Sequence, residues 1–269
     1  MIRNFFNYLK SNNLSYIIRN NLLIKPSIYL KPKKKNLTVS DFFFWRCNED
    51  FETKFFITNL ASQILPDIKQ VDKIKILVFE NNGGLLETKD FILQPFETIE
   101  FIFNDSKFRE KYGSFFVFHQ FDKLDDLIKN GCHIAERGYT GYKRKNGVWN
   151  FVHGNHYSAS LLSNGDIQSL ISTSLFKSSY KMQLSFKDCN KSQLIINNPD
   201  TKKLKYEFIY YDEHNNYLKR DRVVLNSRET KLYDLYHINL KFIEIKSNFI
   251  FCRPLVLKYY DSYFDIFHA

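Results

Sequence analysis

Arg137, Tyr139, Tyr142, Trp149 and His153 crowd the stretch RGYTGYKRKNGVWNFVHG (residues 137–154), with Glu136 just before it and His156 just after. A guanidinium presents a planar fork of donors that fits a carboxylate or phosphate. Aromatic rings offer faces for stacking, and an imidazole beside a carboxylate is an acid–base pair. An arginine and a histidine recur at Arg253 and His268 in RPLVLKYYDSYFDIFHA (residues 253–269).

Two readings follow. In the first, both stretches face a shared groove, with Arg137, Tyr139, Tyr142, Trp149, His156, Arg253 and His268 as ligand-binding residues. Any chemistry there falls to His153 as general acid or base, with Glu136 as its carboxylate partner. In the second, arginines and histidines at strand ends satisfy backbone carbonyls, and the repeated pair marks a repeated fold. His153 and His156 have HxxH spacing but point to opposite faces of a strand and lack further ligands, so no metal is expected. No GxSxG, P-loop, GxGxxG or HExxH motif occurs, and no cofactor is expected.

The elements that position these residues read as hairpins. Asn146-Gly147 is a strong two-residue turn signal, because a type I′ turn needs positive φ at both central positions. Asp261-Ser262 is a weaker turn at the matching place. Pairing Tyr260 with Tyr263 sets His268 opposite Leu255, with Arg253 a diagonal neighbour about 7–8 Å away. The same register in the first stretch sets His153 opposite Thr140 and Arg137 opposite His156. A bulge at Gly138 or Gly141 would restore the parallel.

From Val39 onward short β-branched and aromatic runs alternate with turn signals, which predicts antiparallel β structure. SDFFFWR (residues 40–46) reads as a buried first strand with Trp45 in the core, and residues 123–131 as a helical interlude. The β pattern restarts at Tyr180, and the halves align: Phe79–Thr98 falls without gaps on Tyr211–Thr230, pairing Leu86 with Leu218, Leu93 with Leu225 and Glu97-Thr98 with Glu229-Thr230. FFITN upstream resembles LIINN. An ordered series of matches at a near-constant offset indicates a duplicated module. Its strand ending in Asn, long hairpin and L-x3-E-T pattern resembles the immunoglobulin-like adhesion modules of bacterial proteins, of the CARDB kind. That resemblance implies a sandwich fold and nothing about chemistry.

The net charge of +10 is uneven. Residues 1–35 hold eight basic side chains and no acid, leaving 31 basic against 29 acidic residues in the remainder. The basicity is thus local, which argues against a nucleic-acid-binding fold. Ile2, Phe5, Phe6 and Leu9, then Ile17, Ile18 and Leu22, make the first segment an amphipathic helix or helical pair ended by Pro26, followed by the linker Lys31–Lys35. That segment either docks on the β domain or lies on an anionic membrane surface. Cys47, Cys132, Cys189 and Cys252 lack CxxC spacing, and no stretch approaches a signal peptide or membrane span. Reduced, buried thiols and a cytoplasmic location, peripheral to the membrane if residues 1–35 attach, are expected.

The expected fold is therefore mainly β: two tandem related antiparallel sandwich modules, at 37–158 and 159–269, behind a basic helical segment at 1–36. The leading functional expectation is non-enzymatic binding of a glycan or other anionic polar ligand, in cell-surface polysaccharide assembly. The alternatives are an enzyme acting on a carbohydrate through His153 and Glu136, and a peripheral membrane or assembly scaffold.

Overall fold

The computed structural model describes residues 13–22, 38–48, 50–67, 69–121, 134–144, 147–155, 157–182, 189–235, 240–250 and 253–269. The chain is mainly β, and the described strands form five four-stranded sheets. Sheet I has the order β12 (Ile167–Ser169), β11 (Tyr157–Leu161), β1 (Val39–Asp41), β8 (Ala135–Glu136). Sheet II is β2 (Phe43–Arg46), β7 (Tyr112–Gln120), β4 (Asp72–Glu80), β5 (Leu85–Leu93). Sheet III is β10 (Asn150–His153), β9 (Tyr139–Arg144), β3 (Phe51–Thr58), β6 (Thr98–Ile102). Sheet IV is β20 (Phe264–His268), β19 (Leu255–Tyr259), β14 (Lys191–Asn197), β17 (Thr230–Leu235). Sheet V is β13 (Thr173–Met182), β18 (Leu240–Phe249), β15 (Leu204–Asp212), β16 (Tyr217–Leu225).

Four cores link the sheets in series. Phe116 and Phe118 of β7 meet Ala159 and Leu161 between sheets I and II. Phe115 and Val117, on the other face of the same strand, meet Phe55 and Ile57 between II and III. Phe51, Tyr142 and Val152 of sheet III pack on Ile195, Leu255 and Ile266 of sheet IV. Leu194, Ile196 and Val256, on the opposite face of IV, pack on Tyr206, Phe208 and Ile245 of V.

The mainly-β expectation holds, but the pair of self-contained sandwiches is corrected to a propeller-like series of five sheets. Sheets II and IV contribute to cores on both faces, so their inner strands are continuous apolar runs, FFVF in β7 and LII in β14, rather than alternating ones. Sheet I had no place in the expectation because β1, β8, β11 and β12 come from scattered stretches, with β1 and β8 paired in parallel. SDFFFWR is accordingly not one strand. It divides at Phe42, β1 going to sheet I and β2 to sheet II, with Trp45 fully buried as expected.

Within the series, the strand order of II recurs in V and that of III recurs in IV. The repeated sequence pattern maps onto one repeated corner. Asn59 donates through Nδ2 to the carbonyls of Gln70 (2.7 Å), Leu93 (3.3 Å) and Gln94 (3.1 Å). Asn198 does the same for Lys202 (2.6 Å), Leu225 (3.4 Å) and Asn226 (2.6 Å). Glu97 caps the Gln94 N–H and Glu229 the Asn226 N–H, each at 2.6 Å. Phe96 and Arg228, just before these glutamates, both take positive φ, 64° and 57°. The L-x3-E-T pattern is thus a buried leucine, a turn closed by its own glutamate, and the start of the next strand.

Of residues 1–36, helix α1 (Asn13–Asn21) and Leu22 are described; Lys31–Lys35 and Ile2–Leu9 lie outside the described residues, as does the helical interlude expected at 123–131. Among the described residues no helix is long and apolar enough to cross a membrane. Cys47 and Cys189 are half-buried, and burial pushes the Cys47 thiol up to about 11. Cys132 and Cys252 lie outside the described residues.

Candidate functional site

Both hairpins form, β9–β10 at the edge of sheet III and β19–β20 at the edge of sheet IV. Tyr260 N–H donates to Tyr263 O at 2.9 Å, and His268 pairs with Leu255, as expected. The first hairpin differs by one residue: Gly147 N–H closes onto Arg144 O at 2.8 Å, and His153 pairs with Tyr139 rather than Thr140. This shift at the turn, without a bulge at Gly138 or Gly141, gives both hairpins one geometry. In each, the arginine lies two residues before the strand partner of the histidine.

The two histidines meet. Their ring centroids are 4.4 Å apart, and His268 Nε2 lies 3.1 Å from His153 Nδ1. Backbone carbonyls take up these nitrogens: His268 Nε2 is 2.9 Å from His153 O, and His153 Nδ1 is 2.8 Å from Gly154 O. Arg253 donates from Nε to Ala269 O at 3.1 Å. The pair therefore clasps two strand ends. His156 lies outside the described residues.

Glu136 is not beside His153 in any hydrogen bond among the described residues. Its carboxylate is buried, with Oε2 2.8 Å from His119 Nε2 and Oε1 accepting from Gly138 N–H at 2.6 Å. His119 Nδ1 lies 2.6 Å from Asp72 Oδ2, so one imidazole bridges two carboxylates. Burial alone would lower its pKa, but the hydrogen bonds and charges of Asp72 and Glu136 outweigh that and hold it at about 9. His119 is thus an imidazolium at neutral pH. Next to this bridge, Asp41 is fully buried, with Arg137 Nε 3.4 Å from Oδ2. Burial raises its pKa, the Arg137 charge opposes, and Glu136 adds to the rise, to about 7. Sequence reasoning missed this cluster; the available signal was a histidine closing the otherwise apolar strand SFFVFHQ.

Tyr142 is corrected from a ligand-facing residue to a core one. It is buried, donates its hydroxyl to Phe44 O at 2.7 Å, and burial raises its pKa. By strand parity, Tyr139 and His153 lie on the opposite, open face of sheet III together with Lys54, Phe56, Gly141 and Phe151. Phe56 and Phe151 have ring centroids 6.1 Å apart, Trp149 and Phe151 6.4 Å, and Tyr139 and His153 6.2 Å. Lys54 Nζ sits 4.2 Å above the Trp149 ring and 5.0 Å above that of Phe56. A Cβ on Gly141 would come within 2.6 Å of the Phe151 ring, so that ring lies over the bare backbone of Gly141. Two ion pairs flank the rings, Lys54–Glu100 at 2.7 Å and Lys143–Glu52 at 3.0 Å. Phe56, Tyr139 and Phe151 are 39%, 57% and 45% exposed on this one face.

A separate cleft of about 160 Å³ lies between the two hairpin tips, lined in part by Arg144, Asn150, Asp261, Ser262 and Tyr263. Among the described residues no group of three or more His, Cys, Asp or Glu is placed to hold a metal ion. No protein-family model, curated protein or solved structure matches the chain.

Proposed function

We propose that this protein is a non-enzymatic glycan-binding protein whose platform is the open face of sheet III. One observation carries the reading. Strand register places Phe56, Tyr139, Gly141 and Phe151 at the positions that Ile195, Leu255, Leu257 and Ile266 hold in sheet IV. The four in sheet IV are aliphatic and buried against sheet III. In sheet III the same face is open, and three of its positions are aromatic. Large rings held on an uncovered face favour a ligand with C–H groups to lay on them. A pyranose ring supplies such a face, and the flanking Lys–Glu pairs supply donors and acceptors for its hydroxyls or a carboxylate. Trp149, Tyr139 and His153 are part of this surface; Arg253 and His268 serve as architecture.

The test is a glycan array probed with the full chain and with a Trp149→Ala/Phe151→Ala double variant. Wild type should capture at least one oligosaccharide class, and the variant should lose at least about tenfold in affinity, since each stacked ring contributes about 0.5–1.5 kcal/mol beyond its buried area. An array with no capture by wild type, or equal capture by the folded variant, overturns the reading.

A further inference from the structure

At the far end of the sheet series, α1 lies against β13 with its faces reversed from those of a helix packed on a core. Leu14, Ile17, Ile18 and Leu22, at i, i+3, i+4 and i+8, are all at least half exposed, whereas Ser15, Arg19 and Asn21 are partly covered. Asn21 anchors the helix end: its Oδ1 accepts from Leu175 N–H at 3.1 Å, and its carbonyl from Ser174 Oγ at 3.4 Å. At this contact β13 bulges. Its residues from Thr173 to Ser178 span only Phe249 to Ser247 on β18, and the excess throws Leu175 and Phe176 outward, 83% and 59% exposed. An aliphatic helix face and a protruding Leu-Phe tip are thus neighbours.

The charge around this tip has one dominant sign. By register, the face of sheet V turned away from its core carries Lys181, Lys205, Arg220, Arg222 and Lys246 against Glu207 and Glu244. Lys177, beside the tip, reaches Glu207 at 3.2 Å, and that same carboxylate also serves Arg220 at 3.5 Å and Arg222 at 3.4 Å, leaving an excess of positive charge. As a sequence, residues 1–35, which include α1, hold eight basic and no acidic residues.

We infer that α1, the Leu175-Phe176 tip and the outer face of sheet V form a docking surface for an anionic lipid bilayer. The exposed aliphatic and aromatic side chains enter the boundary between headgroups and acyl chains, and the lysines and arginines pair with headgroup charge. Nucleic acid would match the charge but leave the apolar tip without a partner, which is why lipid is the assigned occupant.

The experiment is co-sedimentation of the full chain with phosphatidylcholine vesicles, with and without phosphatidylserine, at low and high salt. Binding should require phosphatidylserine and fall steeply with salt. Leu175→Ser/Phe176→Ser and, separately, Arg220→Gln/Arg222→Gln should each weaken binding roughly tenfold or more, while their melting curves stay near wild type because these side chains are exposed. Equal binding to neutral vesicles, no binding to either, or full binding by both folded double variants overturns the inference. So does tight binding of a DNA duplex that survives Leu175→Ser/Phe176→Ser.

Discussion

The open face of sheet III and the matching face of sheet IV occupy one place in one strand order, yet they have opposite surroundings. Sheet IV turns Ile195, Leu255, Leu257 and Ile266 into a core against sheet III. Sheet III turns Phe56, Tyr139 and Phe151 toward solvent, with the Phe151 ring laid over Gly141. At the paired position on the neighbouring strand, Leu232 packs on the core where Glu100 is exposed. At these four positions the covered face is aliphatic, with Tyr259 and Phe264 completing the core, whereas on the open face three of the four are rings beside ion-paired lysines. The difference shows that aromatic content alone does not mark a core: the surroundings of an equivalent position decide whether a ring is packing or presentation.

The largest expected effect breaks the comparison at a single pair of positions. Ile266→Asp places a charge in the core between III and IV and should cost at least about 4 kcal/mol or abolish folding. Phe151→Asp, its counterpart on sheet III, should cost less than about 1 kcal/mol. Urea denaturation of both variants checks this, and equal losses would make the open face a covered one.

A second contrast lies between Asp72 and His119, in a charged bridge with Glu136 of sheet I, and their counterparts Leu204 and Ser247, in the other repeat of that strand order. Glu136→Gln should destabilise the fold by about 3 kcal/mol, because it leaves the imidazolium half-compensated. The His119 pKa is raised on folding, from 6.5 to about 9, so its stabilisation is present below about pH 6.5 and lost as pH rises through about 9. Thermal melts across that range should show falling stability, reduced in slope by His119→Gln.

A smaller effect separates Asp41 from the bridge. Its folded pKa is also raised, from 3.8 to about 7, so wild type loses stability as pH climbs through that window. Asp41→Asn should match wild type near pH 4 and be roughly 1–3 kcal/mol more stable at pH 8. The smallest effect belongs to Arg253→Ala, which removes one hydrogen bond to Ala269 O and should shift stability by about 1 kcal/mol or less.

Much of this was legible in the residues. The repeat was readable because Asn59 and Asn198 each tie three carbonyls, and Glu97 and Glu229 each close a turn, demands that few other side chains meet. The second hairpin's register followed from its turn; the first slipped by one residue because its connection closes at Arg144 and Gly147 instead of as a two-residue turn. Sheet I was not legible, since its strands are short, scattered and partly parallel, with no local turn joining β1 to β8. The charged bridge was hidden for a related reason: Asp72 and His119 meet only through the pairing of β4 with β7, and Glu136 reaches them from sheet I, so no local spacing marks the three. The aromatic face was half legible. Trp149 and Tyr139 drew attention, but the exposure of Phe56 and Phe151 depends on which face the neighbouring sheet leaves open.

Calorimetric titration of an array-captured glycan into two double variants, Trp149→Ala/Phe151→Ala and Arg137→Ala/Arg253→Ala, tests the central claim most directly. The account predicts at least about a tenfold loss of affinity in the first and near-wild-type affinity in the second, with both folded. Undiminished binding in the first, or binding lost only in the second, would return the site to the arginines and reduce the open aromatic face to bare surface.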